Sequence, residues 1–193
     1  MKGIGVLATI VGIVAAVLFF AYNGLISKEE AVFSAWSNVE STLQRRSDLI
    51  PNLVSTVKGY AQHEQETLNQ VVEARTKATQ PISTKDLSDP AAMQQFQNSQ
   101  AALSGALSRL IAISENYPDL KANQNFLDLQ HQLEGTENRI NVARERYNDA
   151  VRVFNTAIRT LQGKLINDIF LHLEAKEHFK AEEGAREVPK VSF

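Results

Sequence analysis

The chain has 193 residues, no cysteine and a formal net charge of −2. Zero cysteine excludes disulfides, thiol catalysis, cysteine-based zinc sites and a lipidated N-terminal cysteine. The near-neutral balance gives no strong electrostatic pull toward nucleic acid or anionic lipid, so no nucleic-acid partner is expected.

Residues 1–27 carry one charged side chain, Lys2, and from Gly3 to Tyr22 the only polar side chain is Thr9. Twenty apolar residues at a helical rise span roughly 30 Å, the thickness of a bilayer's hydrocarbon core. The run predicts a transmembrane anchor over 1–27, with the lipid bilayer as its partner through residues 3–22. A cleaved secretory signal is the alternative, but its apolar region is usually about 7–15 residues long and ends at a small-x-small site. Here the run leaves through Ala21-Tyr22-Asn23-Gly24, a poor cleavage site. Ala8, Gly12 and Ala16 fall four apart and form a small-residue ridge that permits close helix packing in lipid, hence a homo-oligomer, although such residues also suit a plain anchor. The α-amine and Lys2 precede the span, whereas only Lys28 follows closely, which points to an extracytoplasmic body. Asn23-Gly24 is expected to close the span, and Ser27 with Glu30 has capping-box spacing for a separate second helix.

Beyond the anchor, 166 residues carry a net charge of −3, enough chain for one core without staples. Five prolines and nine glycines in the whole sequence suit long helices. Apolar positions at helical spacing predict an all-α, elongated antiparallel bundle over 28–187, with helices at about 28–79, 90–116, 120–162 and 164–183 and a flexible tail at 188–193. The first stripe runs through Val32, Trp36, Val39, Leu43, Ile50, Leu53, Val57 and Tyr60 to Val71, Ala74 and Ala78. Gln80–Asp89 reads as a loop, with Asp89 capping and Pro90 in the first turn of the second helix, whose stripe is Met93, Phe96, Leu103, Leu107 and Leu110. Tyr117-Pro118 breaks the chain again. The third stripe runs from Phe126 through Leu133, Ile140, Tyr147 and Phe154 to Leu161, with Gly163 as a candidate stop. The fourth holds Ile166, Ile169, Phe170, Leu173 and Phe179. Unequal lengths leave part of the long hairpin uncovered, so apolar side chains there are available to a partner or a second copy.

The least ordinary stretch is Arg45-Arg46-Ser47-Asp48-Leu49-Ile50-Pro51-Asn52. Pro51 within a stripe removes an N–H and frees a carbonyl near Ser47. Arg46 falls on the inward face and needs a partner, Asp48, Glu137 or Glu145, because a buried unpaired charge is very costly. The stretch reads either as an internal ion pair that sets helix register or as a recognition notch built of Arg45, Arg46, Asp48, Pro51 and Asn52. His63-Glu64 resembles the start of a zinc motif, but Thr67 stands where the second histidine is needed, and His131, His172 and His178 supply no i, i+4 pair. No metal, cofactor or catalytic residue is assigned. A hydrolase using Glu64 or Asp48 is the enzymatic alternative.

Ala35-Trp36-Ser37, the Arg45–Val54 stretch, Val57-Lys58-Gly59-Tyr60-Ala61, His63-Glu64 and Ala74-Arg75 closely resemble the LemA family of bacterial membrane proteins. So do Glu115-x-Tyr117-Pro118-Asp119-Leu120-Lys121-Ala122-Asn123, Asn125-Phe126, Leu133-Glu134, Glu137-Asn138-Arg139-Ile140, Ala143-Arg144 and Tyr147-Asn148. The resemblance covers about Tyr22 to Asn155 and implies one N-terminal membrane helix with an elongated helical domain. It implies no reaction, and its usual description, a short N-terminus outside the cell, is opposite to the charge count. After Asn155 the chain departs from the family pattern. The expected function is therefore a non-enzymatic scaffold or adaptor of the cell envelope, with a self-assembling membrane organiser as the alternative.

Overall fold

The computed structural model describes residues 2–180. All of its regular structure is helical: α1 (Lys2–Tyr60), α2 (Gln65–Ala78), α3 (Pro90–Ile113), α4 (Pro118–Lys121), α5 (Gln124–Arg159) and α6 (Leu161–Ile166), followed by a π-helical turn at Asn167–Leu171. The tail at 188–193, and the expected helix and domain ends at 183 and 187, lie outside the described residues.

α1 is one continuous helix of 59 residues, which corrects the expected break between anchor and body. Asn23 does not close it: its Nδ2 donates to the Phe19 carbonyl one turn back, at 2.9 Å. An interior glycine disfavours a helix by only about 1 kcal/mol, and a fresh start would need a new nucleus. Leu25 and Val32, buried on either side of the expected cap, hold the helix together there. From residue 5 to residue 17 the side chains are exposed on α1, and the run is long and apolar enough to cross a membrane.

The expected helix 28–79 is instead two, because the chain turns at Ala61–Glu64. α2 doubles back along α1, burying Leu68, Val71 and Ala78. α3 starts as expected, with the Asp89 side chain accepting from the Ala91 N–H at 2.8 Å and Pro90 in the first turn. α5 begins four residues later than expected, capped by Asn123, whose Oδ1 accepts from the Phe126 N–H.

α5 runs antiparallel to α1 in a fixed register. Asn123 Nδ2 donates to the Tyr60 hydroxyl at 2.9 Å, Arg46 meets Glu137, and Trp36 meets Tyr147. Around residues 45–60 four helices pack together, their core formed by Ile50, Leu53, Val57, Leu103, Leu110, Phe126 and Leu133. Nearer the anchor, α2 is gone and a second core forms around Val32, Trp36, Tyr147 and Phe154.

That second core is closed by a segment that is not a helix. The expected fourth helix ends at Ile166, and after the π turn His172 adopts a left-handed conformation, φ 53°, that reverses the chain. Residues 173–180 then run back along α5 without regular structure. Gly163 does not stop α5, which ends at Arg159. Instead it sits inside α6, where a Cβ would stand 1.9 Å from the Ala157 carbonyl oxygen. Around this second core, apolar side chains expected to be left for a partner are thus covered from within the chain.

Candidate functional site

Three structural features gather the polar chemistry of the body. The first is Arg46, 2 % exposed at the edge of the four-helix section, beside the end of α2. Its Nη1 donates to Glu137 Oε1 at 2.7 Å and to Ser104 Oγ at 3.0 Å, and its Nη2 donates to Gln100 Oε1. The guanidinium therefore ties α1 to α3 and α5 together. Gln100 in turn donates to the Ala78 carbonyl, capping the end of α2. Nε has no partner. Of the three carboxylates considered for Arg46, Glu137 is the one in place; Asp48 is exposed and accepts from Gln44 at 2.7 Å, and Glu145 is exposed on α5.

Pro51 supplies the second feature. Its missing N–H would have bonded to the Ser47 carbonyl one turn earlier. Arg75 of α2 fills that position: its Nε donates to the Ser47 carbonyl at 3.0 Å and lies 3.1 Å from the Ser47 hydroxyl. Arg45, Pro51 and Asn52 are exposed on α1, so the motif divides into a buried half, Arg46 and Ser47, and an outward half. Sequence reasoning did not assign Arg75 this role, although the orphaned carbonyl required a donor.

The third feature was not legible in any motif. Residues 173–180 are held on α5 by side-chain amides that copy the pairing of a β-ladder. Asn155 accepts from the Lys176 N–H at 2.9 Å and donates to its carbonyl at 2.8 Å. Asn148 does the same for Phe179, at 2.8 and 3.1 Å. Seven helical residues and three extended ones both span about 10 Å, which is why asparagines two turns apart serve residues three apart. The Tyr147 hydroxyl donates to the Glu177 carbonyl at 3.0 Å, the Glu177 N–H to the Leu87 carbonyl at 2.7 Å, and the Lys180 N–H to Gln97 Oε1 at 2.9 Å. Burial pushes the Tyr147 hydroxyl's pKa well above its usual value, with the nearby Glu177 charge adding to it. Phe179 completes an aromatic cluster with Trp36, Phe96 and Tyr147, at centroid separations of 5.4–6.3 Å, and Arg144 stacks on its outer face at 4.7 Å. Lys176 reaches α1, where it pairs with Glu29 at 3.2 Å over the rings of Phe33 and Phe154.

The segment enters one end of a groove of about 1500 Å³ between α3 and α5. Val39, Leu43 and Arg46 form its floor, Ser104 and Ser108 one wall, and Glu137 and Asn141 the other, while Phe179 and Lys180 plug its near end. Glu64 and His63 lie elsewhere, in the turn between α1 and α2, where Glu64 accepts from the Tyr117 hydroxyl at 3.2 Å. Desolvation, and secondarily that carboxylate, raises the Tyr117 pKa. Among the described residues no cluster of three His, Asp or Glu is placed to hold a metal. His172 and His178 fall in the reversal and the extended segment, not on a helix. Ala8, Gly12 and Ala16 lie open on α1, and a Cβ on Gly12 would meet nothing within 4 Å.

Fold and site together define an antiparallel helical bundle carried on one apolar N-terminal helix and closed by its own C-terminal segment. The chain belongs to the LemA family, whose model matches residues 35–193. It is 27 % identical over 160 residues to magnetosome protein MamQ 2 of Paramagnetospirillum magneticum, an alignment covering 74 % of this chain and 59 % of that protein. Similarity extends to MamQ of Magnetospirillum gryphiswaldense, 27 % over 158 residues covering 73 % and 58 %, and to protein LemA of Metamycoplasma hominis, 26 % over 148 residues covering 75 % and 64 %. The chain therefore spans somewhat under two thirds of the length of these relatives.

Proposed function

We propose that this chain is a single-pass, membrane-anchored scaffold or adaptor of the bacterial cell envelope, non-enzymatic, which binds extended stretches of partner polypeptide in the groove between α3 and α5. The observation that carries the reading is that an extended segment of this chain, held on α5 by backbone-directed amides, already reaches the near end of this groove with Phe179 and Lys180. Asn141 lies seven residues before Asn148 on α5, lines the open part of the groove and is exposed. It offers an incoming backbone the same donor and acceptor pair. Recognition through main-chain hydrogen bonds is tolerant of sequence, which suits an adaptor.

The test is a photo-crosslinking residue at Ser108 or Asn141 in the full chain in its native membrane, with outward-facing Val142 as control. Adducts at the two groove positions alone, mapping to one extended segment of another protein, support the adaptor. Adducts to further copies of this chain alone favour the self-assembling organiser. Equal adducts at Val142 would remove the groove from the proposal. The body is placed outside the cytoplasm on the Lys and Arg count, and a single cysteine replacing Val142 decides it. Labelling by a membrane-impermeant thiol reagent before lysis supports that side; labelling only after lysis reverses it.

A further inference from the structure

The anchor-proximal end of the body exposes four large apolar side chains: Leu161 at 89 %, Leu165 at 52 %, Ile169 at 56 % and Phe170 at 58 %. Leu161, Leu165 and Ile169 recur every four residues and share one helical face, while Gly163 and Ile166 on the other face are buried. Apolar side chains gathered in this way mark an interaction surface. Position identifies the occupant. Ile166, with Leu171 and Leu173, belongs to the same packed cluster as Leu18, Ala21 and Leu25 of α1. Leu18 and Ala21 are part of the apolar run itself, so α6 stands beside the last turns of the span. Phe19, Phe20 and Tyr22 are exposed on α1 at the same level. Because α1 has no break between run and body, the helix rise sets the height of α6 above the span.

We infer that the outward face of residues 161–170 is a second lipid contact, an apolar foot seated at the boundary between headgroups and acyl chains. This rests on the reading of residues 3–22 as a membrane anchor. The pattern is that of an interfacial helix, apolar on the face turned to lipid and too short to span. The polar side chains interspersed along it, Gln162, Lys164 and Asp168, suit the headgroup layer. A foot beside the span fixes the body's tilt, which a lone helix crossing the membrane leaves free.

The absence of cysteine makes single-site labelling specific. The full chain is reconstituted in phosphatidylcholine vesicles with an environment-sensitive fluorophore on one introduced cysteine at position 10, 142, 165 or 169, and quenching by acyl-chain-brominated lipid is measured. Positions 165 and 169 should be quenched to about half the extent of position 10, reflecting a shallower depth, with position 142 unquenched. Quenching at 10 with none at 165 and 169 overturns the foot and leaves the anchor standing. No quenching at position 10 means that the anchor reading has failed, and the foot with it. Quenching at 142 as well means that the whole body lies on the lipid, which overturns a specific foot. Disulfide-linked dimers of the Leu165→Cys chain, with that position shielded from lipid, would assign the face to a second copy instead. A Leu165→Asp, Ile169→Asp chain labelled at Phe170→Cys provides the second measurement. It should keep its detergent melting temperature, because both side chains are exposed, and lose lipid quenching.

Discussion

The two halves of the body are stabilised by different physics. Around residues 45–60, helix packs on helix, and the buried polar contacts centre on Arg46 and Arg75, each completing what the helices leave unsatisfied. Nearer the anchor, α1 and α5 are closed instead by an extended segment whose backbone groups are satisfied by side chains. Helical stripes alone can specify the first arrangement, since the period of the apolar residues decides which faces meet. The second depends on individual amides at the right height. Such a closure is local and separable, so perturbing it should affect the anchor-proximal half and leave the four-helix half intact.

The largest expected effect tests this separability. Phe179→Ala should cost about 4 kcal/mol, the usual loss for a buried phenylalanine, and release the segment from Trp36 and Tyr147. Trp36 fluorescence should shift to the red while amide exchange in α2 stays unchanged. Faster exchange in both halves would show that they fold as one unit.

Arg46→Ala probes the other half. It leaves Glu137, Gln100 and Ser104 without their common donor and should cost about 3 kcal/mol, seen as a melting temperature lower by roughly 10 °C. Arg46→Met, which fills the space without a charge, should recover much of that loss if the arginine serves packing and register. If Arg46→Ala melted like the parent while the crosslinks at Ser108 disappeared, Arg46 would act in recognition.

Replacing Asn148 or Asn155 with alanine removes two backbone-directed bonds from one rung of the ladder. Each change should cost about 1 kcal/mol, and the two should add, because the rungs are two turns apart and share no partner. Coupling well beyond additivity would mean that the segment detaches as a whole.

The smallest effect depends on pH. The Tyr147 hydroxyl's pKa is raised in the folded state, so the phenol is neutral in both states at neutral pH and the unfolded chain loses its proton first as pH rises. Ionisation of Tyr147 should therefore leave stability unchanged below the ordinary tyrosine pKa of about 10 and lower it above. Tyr147→Phe should cost about 1 kcal/mol near neutrality, through the lost bond to Glu177. It should also show a flatter decline in urea midpoint between neutral and alkaline buffer than the parent. An equally steep decline would assign the alkaline loss to other groups.

Several elements could be read from residues alone. The apolar run, the Asp89-Pro90 start of α3, the stripe of α5 and the inward position of Arg46 all follow from local rules of length, capping and periodicity. The need for a donor at the Ser47 carbonyl followed from Pro51 in the same way. Arg75 as that donor did not, because it comes from another helix. The turn at Ala61–Glu64 was missed because Val71 and Ala78 keep a helical spacing whether or not the chain has folded back. The break expected at Asn23-Gly24 did not form, because a weak local stop is outweighed by packing on both sides of it.

What the sequence by itself determined was therefore the class: one apolar N-terminal run long enough to cross a membrane, long amphipathic helices, an inward cation, and the family to which they belong. Only the tertiary structure decided the return of α2, the partners of Arg46 and Arg75, and the extended course of residues 173–180. Periodicity records which face of a segment avoids water, and that can be read one segment at a time. The pairing of a backbone with Asn148 and Asn155 leaves no period in residues 173–180, because their hydrogen-bonding groups are the same in every amino acid except proline.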